Sequence, residues 1–338
     1  MKNNSLKVCM IGAGLQFERR YPSIIEYGDE IVGLSSKNVE QGINHANNLG
    51  CIFYENWKSA INESNCDTVV IATPPNSHFE IANYCLEKKI NIFIEKPITQ
   101  RLHEAEKLVA KSISLGVPLW TGFSYRYHPA VIEVLNRVKV KELGDVLFCR
   151  ISHGIGAREN YTNEWRANPR FAAGGHFFEM GSHLVDLALA TIGEIKSVSG
   201  EIVNLLFKDE PLDDGGFATL TSINGSVAII DCTLMQWRNL FRFEVICENG
   251  YFEIHGLGGS YDTEKLIIGG RPNGGPFGYE VLEFRNNNES WSSEWKDFKK
   301  NIVDRTNLEK IHGQDGLRVF KIMDKIYLSS QNKKVEVI

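Results

Sequence analysis

The chain has 338 residues, with 43% hydrophobic and 23% charged side chains, the balance expected of a soluble globular protein long enough for two domains. Its net charge of −5 offers no basic surface to nucleic acid or an anionic membrane, and no apolar run reaches membrane-spanning length. The seven cysteines are scattered, odd in number and without a CxxC pair; with no signal-peptide pattern at the start, a cytoplasmic protein without a disulfide framework is expected.

In chain order, the first 120 or so residues alternate β-rich runs with helical patterns. "KVCMIGAG" predicts a buried strand ending in glycines, and "IIEYG" closes a helix before a second strand, "EIVGLSS". "NVEQGINHANNLG" has helical periodicity and stops at Gly50. "CDTVVIATPP" and "INIFIEKP" predict further strands, with helices over "HFEIANYCLEKK" and "HEAEKLVAKSISLG", the latter ending at Gly116. Strands alternating with helices imply a doubly wound parallel sheet.

After about residue 145 the pattern becomes one of strands: "GDVLFCRISHG", "IKSVSGEIVNLLF", "GGFATLTSI", "GSVAIIDCTLMQW", "LFRFEVICENGYFEIHG", "EKLIIGG" and "YEVLEF". "ING" (223–225) and "ENG" (248–250) are read as hairpin turns, because Asn and Gly accept positive φ. A large, mostly antiparallel sheet with the 174–192 helix packed on it is expected, closed by a last helix, "DGLRVFKIMDKIYLSS". The predicted fold is thus α/β followed by α+β: a Rossmann-type domain over 1–122 and an open-sheet domain over 123–338, the final helix able to pack back on the first.

"IGAGLQFERRYP" puts Gly12 and Gly14 directly after a strand and before a helix. The first glycine permits a tight turn, the second lets backbone approach a pyrophosphate, and the helix N-terminus attracts the phosphates. Gly12, Gly14, Leu15 and Gln16 are therefore candidate cofactor-binding residues, although Phe17 replaces the third glycine of G-x-G-x-x-G. An acid usually follows at the end of strand two to hold the ribose 2′-hydroxyl of NAD. Here that place holds Ser35, Ser36 and Lys37, hydroxyls and a cation suited to a 2′-phosphate. NADP is favoured over NAD, with dual use open.

The stretch "GGHFFEMGSHLVDLA" sets His176, Glu179, His183 and Asp186 along one helix face. A zinc site on that face would make the protein a metal-dependent hydrolase. The spacing lacks the HExxH signature and no fourth ligand is evident, so no metal site is assigned.

Together, "ATPPNSHFEIANYCLEKKINIFIEKPIT", "GFSYRYHP" and that helix resemble the glucose-fructose oxidoreductase, inositol dehydrogenase and rhizopine-catabolism (Gfo/Idh/MocA) family, nearly end to end, from the glycine turn to the last helix. The resemblance implies hydride transfer between a nicotinamide and a secondary alcohol of a sugar, cyclitol or sugar derivative. It implies a homodimer or homotetramer through the C-terminal sheet. It places Thr73, Pro74, Asn76 and His78 near the cofactor, together with Glu95 and Lys96 of the "EKP" segment. Lys96 and His183 become the catalytic pair, with Glu179 where many members have Asp; Arg126, Trp165 and Arg166 match positions near the substrate, as do Glu179 and His183.

The chemistry asks for these residue types. Oxidising an alcohol removes a hydride from carbon and a proton from oxygen, and an imidazole with an ordinary pKa of about 6.5 accepts that proton at neutral pH. A lysine ammonium beside the oxygen stabilises developing alkoxide. Three other readings stay open: an NAD-dependent glycosidase of the same family, the metal-dependent hydrolase, and a nucleotide-sensing protein without turnover. Arg126, Arg158, Arg166 and Arg170 would suit an anionic substrate group if they converge.

Overall fold

The computed structural model describes residues 5–271, 275–285 and 289–338, and the chain divides into two units, residues 1–123 with 291–318 and residues 124–290 with 319–338. In the first unit, six parallel strands form one sheet: β1 (Lys7–Ile11), β2 (Glu30–Ser35), β3 (Ile52–Tyr54), β4 (Thr68–Ile71), β5 (Asn91–Glu95) and β6 (Leu119–Gly122). Their order, β3-β2-β1-β4-β5-β6, is the doubly wound dinucleotide-binding order. Every residue of β4 is buried, as a continuous β-branched run in a two-faced sheet requires. The connecting helices are α1 (Leu15–Glu26), α2 (Val39–Leu49), α3 (Trp57–Glu63), α4 (His78–Glu87) and α5 (Leu102–Leu115). Gly50 and Gly116 end α2 and α5 at φ 68° and 64°, the left-handed cap that glycine adopts without a Cβ penalty.

The second unit is built on a nine-stranded sheet preceded by helix α6 (Pro129–Lys139). Its strands are β7 (Val146–Gly156), β8 (Ile195–Val203), β9 (Gly215–Ser222), β10 (Val227–Thr233), β11 (Met235–Cys247), β12 (Gly250–His255), β13 (Glu264–Gly270), β14 (Gly278–Phe284) and β15 (Glu336–Val337). They run β14-β13-β12-β11-β7-β10-β9-β8-β15, antiparallel except for the parallel pair β7 and β10. Helix α7 (His176–Ile192) packs on β7 and β10. Of the two hairpin turns read from sequence, "ING" reaches positive φ at Gly225 (92°). "ENG" is a hairpin turn as well, with Cys247 paired to Gly250 across it, but none of residues 248–250 takes positive φ; the amides of Glu248 and Asn249 donate outward to the Asp145 and Leu143 carbonyls.

Past β14 the chain forms α8 (Ser290–Asp304), α9 (Leu308–Ile311) and α10 (Gln314–Asn332). Helix α8, for which the sequence reading named no element, completes the core of the first unit. Trp295 and Phe298 join Phe93 and Trp120 in an aromatic cluster with ring centroids 4.9–5.9 Å apart. The Trp295 indole donates to Asp29 Oδ2 at 2.8 Å, satisfying its one polar atom inside that core.

Candidate active site

The first candidate residues lie where β1 runs into α1. Gly12 sits at φ 107°, and a Cβ there would meet the Ala72 carbonyl oxygen at 2.6 Å, so both conformation and the nearby end of β4 require glycine. Its amide donates to the Ser35 carbonyl at 2.8 Å, tying the turn to the end of β2. Gly14 is the N-cap of α1, with no side-chain cap and open space where a Cβ would stand. Leu15 is exposed, and Gln16 Oε1 is buried with no hydrogen-bond partner among the described residues. An uncapped helix start with room above the second glycine fits a pyrophosphate, and a buried acceptor beside it fits a ribose hydroxyl. Phe17, in place of the third glycine, is fully buried and turns toward α2, where its ring lies 4.6 Å from that of His45.

At the end of β2, Ser35 is buried, Ser36 half-buried and Lys37 exposed. Ser36 Oγ accepts from the Asn38 amide at 3.2 Å, and Asn38 caps α2 by accepting from the Gln41 amide. Among these residues Lys37 is the charge turned to solvent, with no acid at 35–38.

The loop after β4 is organised from within. Pro74 precedes a short turn over 75–77, and Ser77 Oγ donates to Thr73 Oγ1 at 2.7 Å. His78 is completely buried, with Nε2 2.8 Å from the Thr73 carbonyl oxygen and Nδ1 2.9 Å from that of Pro97. It therefore joins the loop of Thr73, Pro74 and Asn76 to the "EKP" segment. Burial pulls the His78 pKa below its ordinary value, with the two carbonyls pulling the other way. Glu95 is buried too: its carboxylate accepts from Arg20 Nε at 2.6 Å, while Arg20 Nη1 donates to Glu294 at 2.6 Å. Lys96 follows, half-buried, at the carboxyl end of β5, where ligands bind in sheets of this order.

In the second unit, α7 carries the remaining candidates. The helix starts at Gly175, where a Cβ would lie 2.3 Å from Asp213 atoms. Asp213 exploits that gap: its carboxylate accepts from the Gly175 and Phe177 amides at 2.9 and 2.8 Å and from the Tyr327 hydroxyl at 2.6 Å. Its carbonyl takes the His176 amide as well. Asp213 is thus the cap of α7, unforeseen from sequence, although "DDGG" before a strand is a visible turn signal.

The four titratable residues of α7 reach four different places. His183 is 5% exposed and its ring stacks face to face on Tyr125, 4.1 Å between centroids and 8° from parallel. Asp186, completely buried, holds Arg126 through two bonds of 2.6 and 2.5 Å. Glu179 accepts from Arg166 Nε at 2.7 Å, and Arg166 lies over the Trp165 ring at 4.5 Å. Burial works against the Arg166 charge, but Glu179 and Glu164 outweigh it and raise its pKa. His176 faces His153 and Cys232 instead, so the helix face is not a common ligand set with Glu179. The arginines are matched rather than gathered: Arg126 pairs with Asp186, while Arg158 and Arg166 share Glu164.

The sheet order and glycine turn define a doubly wound dinucleotide-binding domain, joined in one chain to an open-sheet domain. Residues 6–123 match the model of an oxidoreductase family with an NAD-binding Rossmann fold, and residues 131–253 match the GFO/IDH/MocA C-terminal domain. The chain belongs to this Gfo/Idh/MocA family. It is 26% identical over 171 residues to levoglucosan dehydrogenase of Pseudarthrobacter phenanthrenivorans, an alignment covering 50% of this chain and 44% of that protein. It is 21% identical over 356 residues to an NADP(+) scyllo-inositol 2-dehydrogenase of Bacillus subtilis, covering 98% and 96%. The chain spans about half the length of the first curated relatives it matches. A solved structure of levoglucosan dehydrogenase with NADH and L-sorbose shares the fold, with TM-score 0.89, 20% identity and 99% of each chain covered. No helix of the described residues is long and apolar enough to cross a membrane.

Proposed function

We propose that this protein is an NAD(P)-dependent oxidoreductase acting on a secondary alcohol of a sugar, cyclitol or sugar derivative. The observation that carries this reading is the start of α1: an uncapped helix N-terminus behind Gly12 and Gly14, at the centre of a sheet of dinucleotide-binding order. A nicotinamide dinucleotide held there supplies the hydride acceptor for alcohol oxidation, or the donor for the reverse. Exposed Lys37 and the hydroxyls of Ser35 and Ser36 favour NADP over NAD.

In this reading Lys96 sets its ammonium against the alcohol oxygen and stabilises developing alkoxide, while His183 receives the proton. Stacking on Tyr125 restrains the His183 ring, which suits a group that must present one nitrogen to the substrate. Glu179, fixed by Arg166, orients sugar hydroxyls, and Trp165 supplies an apolar face beside them. Arg126 acts by holding Asp186 and α7 rather than by gripping an anion. The outer face of the large sheet, with Phe217 46% and Ile229 43% exposed, suits a homodimer or homotetramer.

The test is fluorescence titration of cofactor-stripped protein with NADPH and NADH separately, followed by a polyol and sugar screen for change in reduced cofactor. Saturable binding with tighter NADPH, and net cofactor turnover, is the expected result. No binding of either nucleotide overturns the proposal, and sugar cleavage without net cofactor reduction replaces it with the glycosidase reading.

A further inference from the structure

The parallel pairing of β7 and β10 places Cys232 directly opposite His153 in the register. Register partners project from the same face of a sheet, and this is the face that α7 covers. His153 Nδ1 and Cys232 Sγ lie 3.5 Å apart. The first residue of α7, His176, completes the group: one ligand-competent atom from each of the three lies within 4.8 Å of the others. All three side chains are buried, at 0%, 2% and 0% exposure for His153, His176 and Cys232.

We propose that His153, His176 and Cys232 bind a thiophilic divalent cation, zinc above others, in the second unit. Imidazole and thiolate are the donors zinc selects. With Zn–S of about 2.3 Å and Zn–N of about 2.0–2.1 Å, tetrahedral geometry sets N and S roughly 3.5 Å apart, the separation found between His153 and Cys232. Closing on the ion draws the remaining pairs together by roughly an ångström. The Cys232 thiolate offsets part of the cation's charge inside the protein. A metal-bound histidine normally commits its other nitrogen to a partner that fixes ring and tautomer. His153 meets this requirement: Nε2 lies 3.0 Å from the Tyr261 hydroxyl, in the segment between β12 and β13. Three protein ligands leave a fourth position for water.

The site is separate from the dinucleotide reading, since all its residues come from the second unit. It lies one aromatic ring behind His183: Tyr125, stacked on His183, has its centroid 6.1 Å from that of His153. A bound cation would cross-link the start of α7 to β7 and β10 and stiffen the wall that carries His183.

The experiment uses full-length protein, chelator-treated, reduced and cofactor-stripped so that the near-ultraviolet is clear. Co2+ is titrated in, and Zn2+ is then added to displace it. The expected result is stoichiometric uptake, with a thiolate-to-cobalt charge-transfer band and the intense visible bands of low-symmetry cobalt, all erased by Zn2+. In Cys232→Ser the charge-transfer band is lost, and Zn2+ no longer raises the melting temperature as it does for the wild type. Wild-type protein that takes up no Co2+ under these conditions overturns the proposal, and needs no variant to fold. A charge-transfer band that survives in folded Cys232→Ser overturns it too, placing the metal on another cysteine.

Discussion

Arg20→Met tests how the "EKP" segment is held. The Arg20 guanidinium is 1% exposed, bonded at 2.6 Å to Glu95 and at 2.6 Å to Glu294. It lies 4.3 Å from the Phe93 ring and 4.6 Å from the Trp291 ring. Methionine fills much of that volume, so the cost is mainly electrostatic. Two carboxylates, 5% and 0% exposed, would remain with no cation between them. Removing one partner of a buried ion pair costs about 3–5 kcal/mol, and the second carboxylate puts the expectation at the upper end. Even the native site has two acids to one base. Burial pushes the Glu294 carboxyl above its ordinary range, Arg20 pulls it back, and Glu95 adds to the rise. A raised folded pKa means the native state keeps a proton that the unfolded chain has released. This group's contribution is therefore full at acid pH and is lost as pH rises through the folded pKa. Glu294→Gln retains an acceptor for Arg20 and removes the excess charge. It should cost less than about 1 kcal/mol at neutral pH or stabilise, with its standing against wild type worsening toward acid. Urea unfolding followed by tryptophan fluorescence, at neutral and mildly acidic pH, gives both numbers from midpoints at common slope. Arg20→Met losing under about 1 kcal/mol, or Glu294→Gln losing as much as Arg20→Met, would refute this account.

Burial pushes the Asp213 carboxyl up to about 6, against the pull of the Tyr327 hydroxyl and the α7 amides. The difference in stability between wild type and Asp213→Asn should accordingly fall by about 3 kcal/mol in all as pH rises from below the ordinary carboxylate range to above about 6; a difference flat with pH rules this out. Lys96→Ala should cut turnover on the order of 100- to 1,000-fold while changing NADPH affinity by less than about tenfold, and near-native rates on the true substrate would remove Lys96 from the chemistry. Lys37→Asp should move preference from NADPH toward NADH in parallel titrations; unchanged selectivity would show that the 2′-phosphate is read elsewhere.

The parallel half of the fold was legible because its signals are local. A buried β-branched run such as "TVVI" has few other uses, and Gly50 and Gly116 mark helix ends through their own backbone preference. What stayed hidden depends on residues far apart in the chain. Arg20 meets Glu294 across 274 positions, and nothing in "FERRYP" distinguishes Arg20 from Arg19 beside it. Helix α8 was missed although its apolar residues serve the core of the first unit, since "SWSSEWKDFKKNIVD" follows a run of strands. His78 is a further case: nothing local in "NSHFEI" shows that it lies completely buried between the carbonyls of Thr73 and Pro97, the second of them 19 positions away.

Helix α7 shows where spacing stops being informative. Steps of three and four do set His176, Glu179, His183 and Asp186 side by side, but adjacency on a helix is not a shared task. The helix is pinned at its start, where the missing Cβ of Gly175 lets Asp213 bind two amides at once. From that fixed origin each side chain meets whatever the fold presents at its level: the β7–β10 pair for His176, Arg166 for Glu179, Tyr125 for His183 and Arg126 for Asp186. A stripe that spacing alone would gather into one site becomes four separate interactions, because its partners come from segments as far apart as Tyr125 and Cys232. His176 therefore had candidate ligand partners all along, but across the sheet register rather than along its own helix.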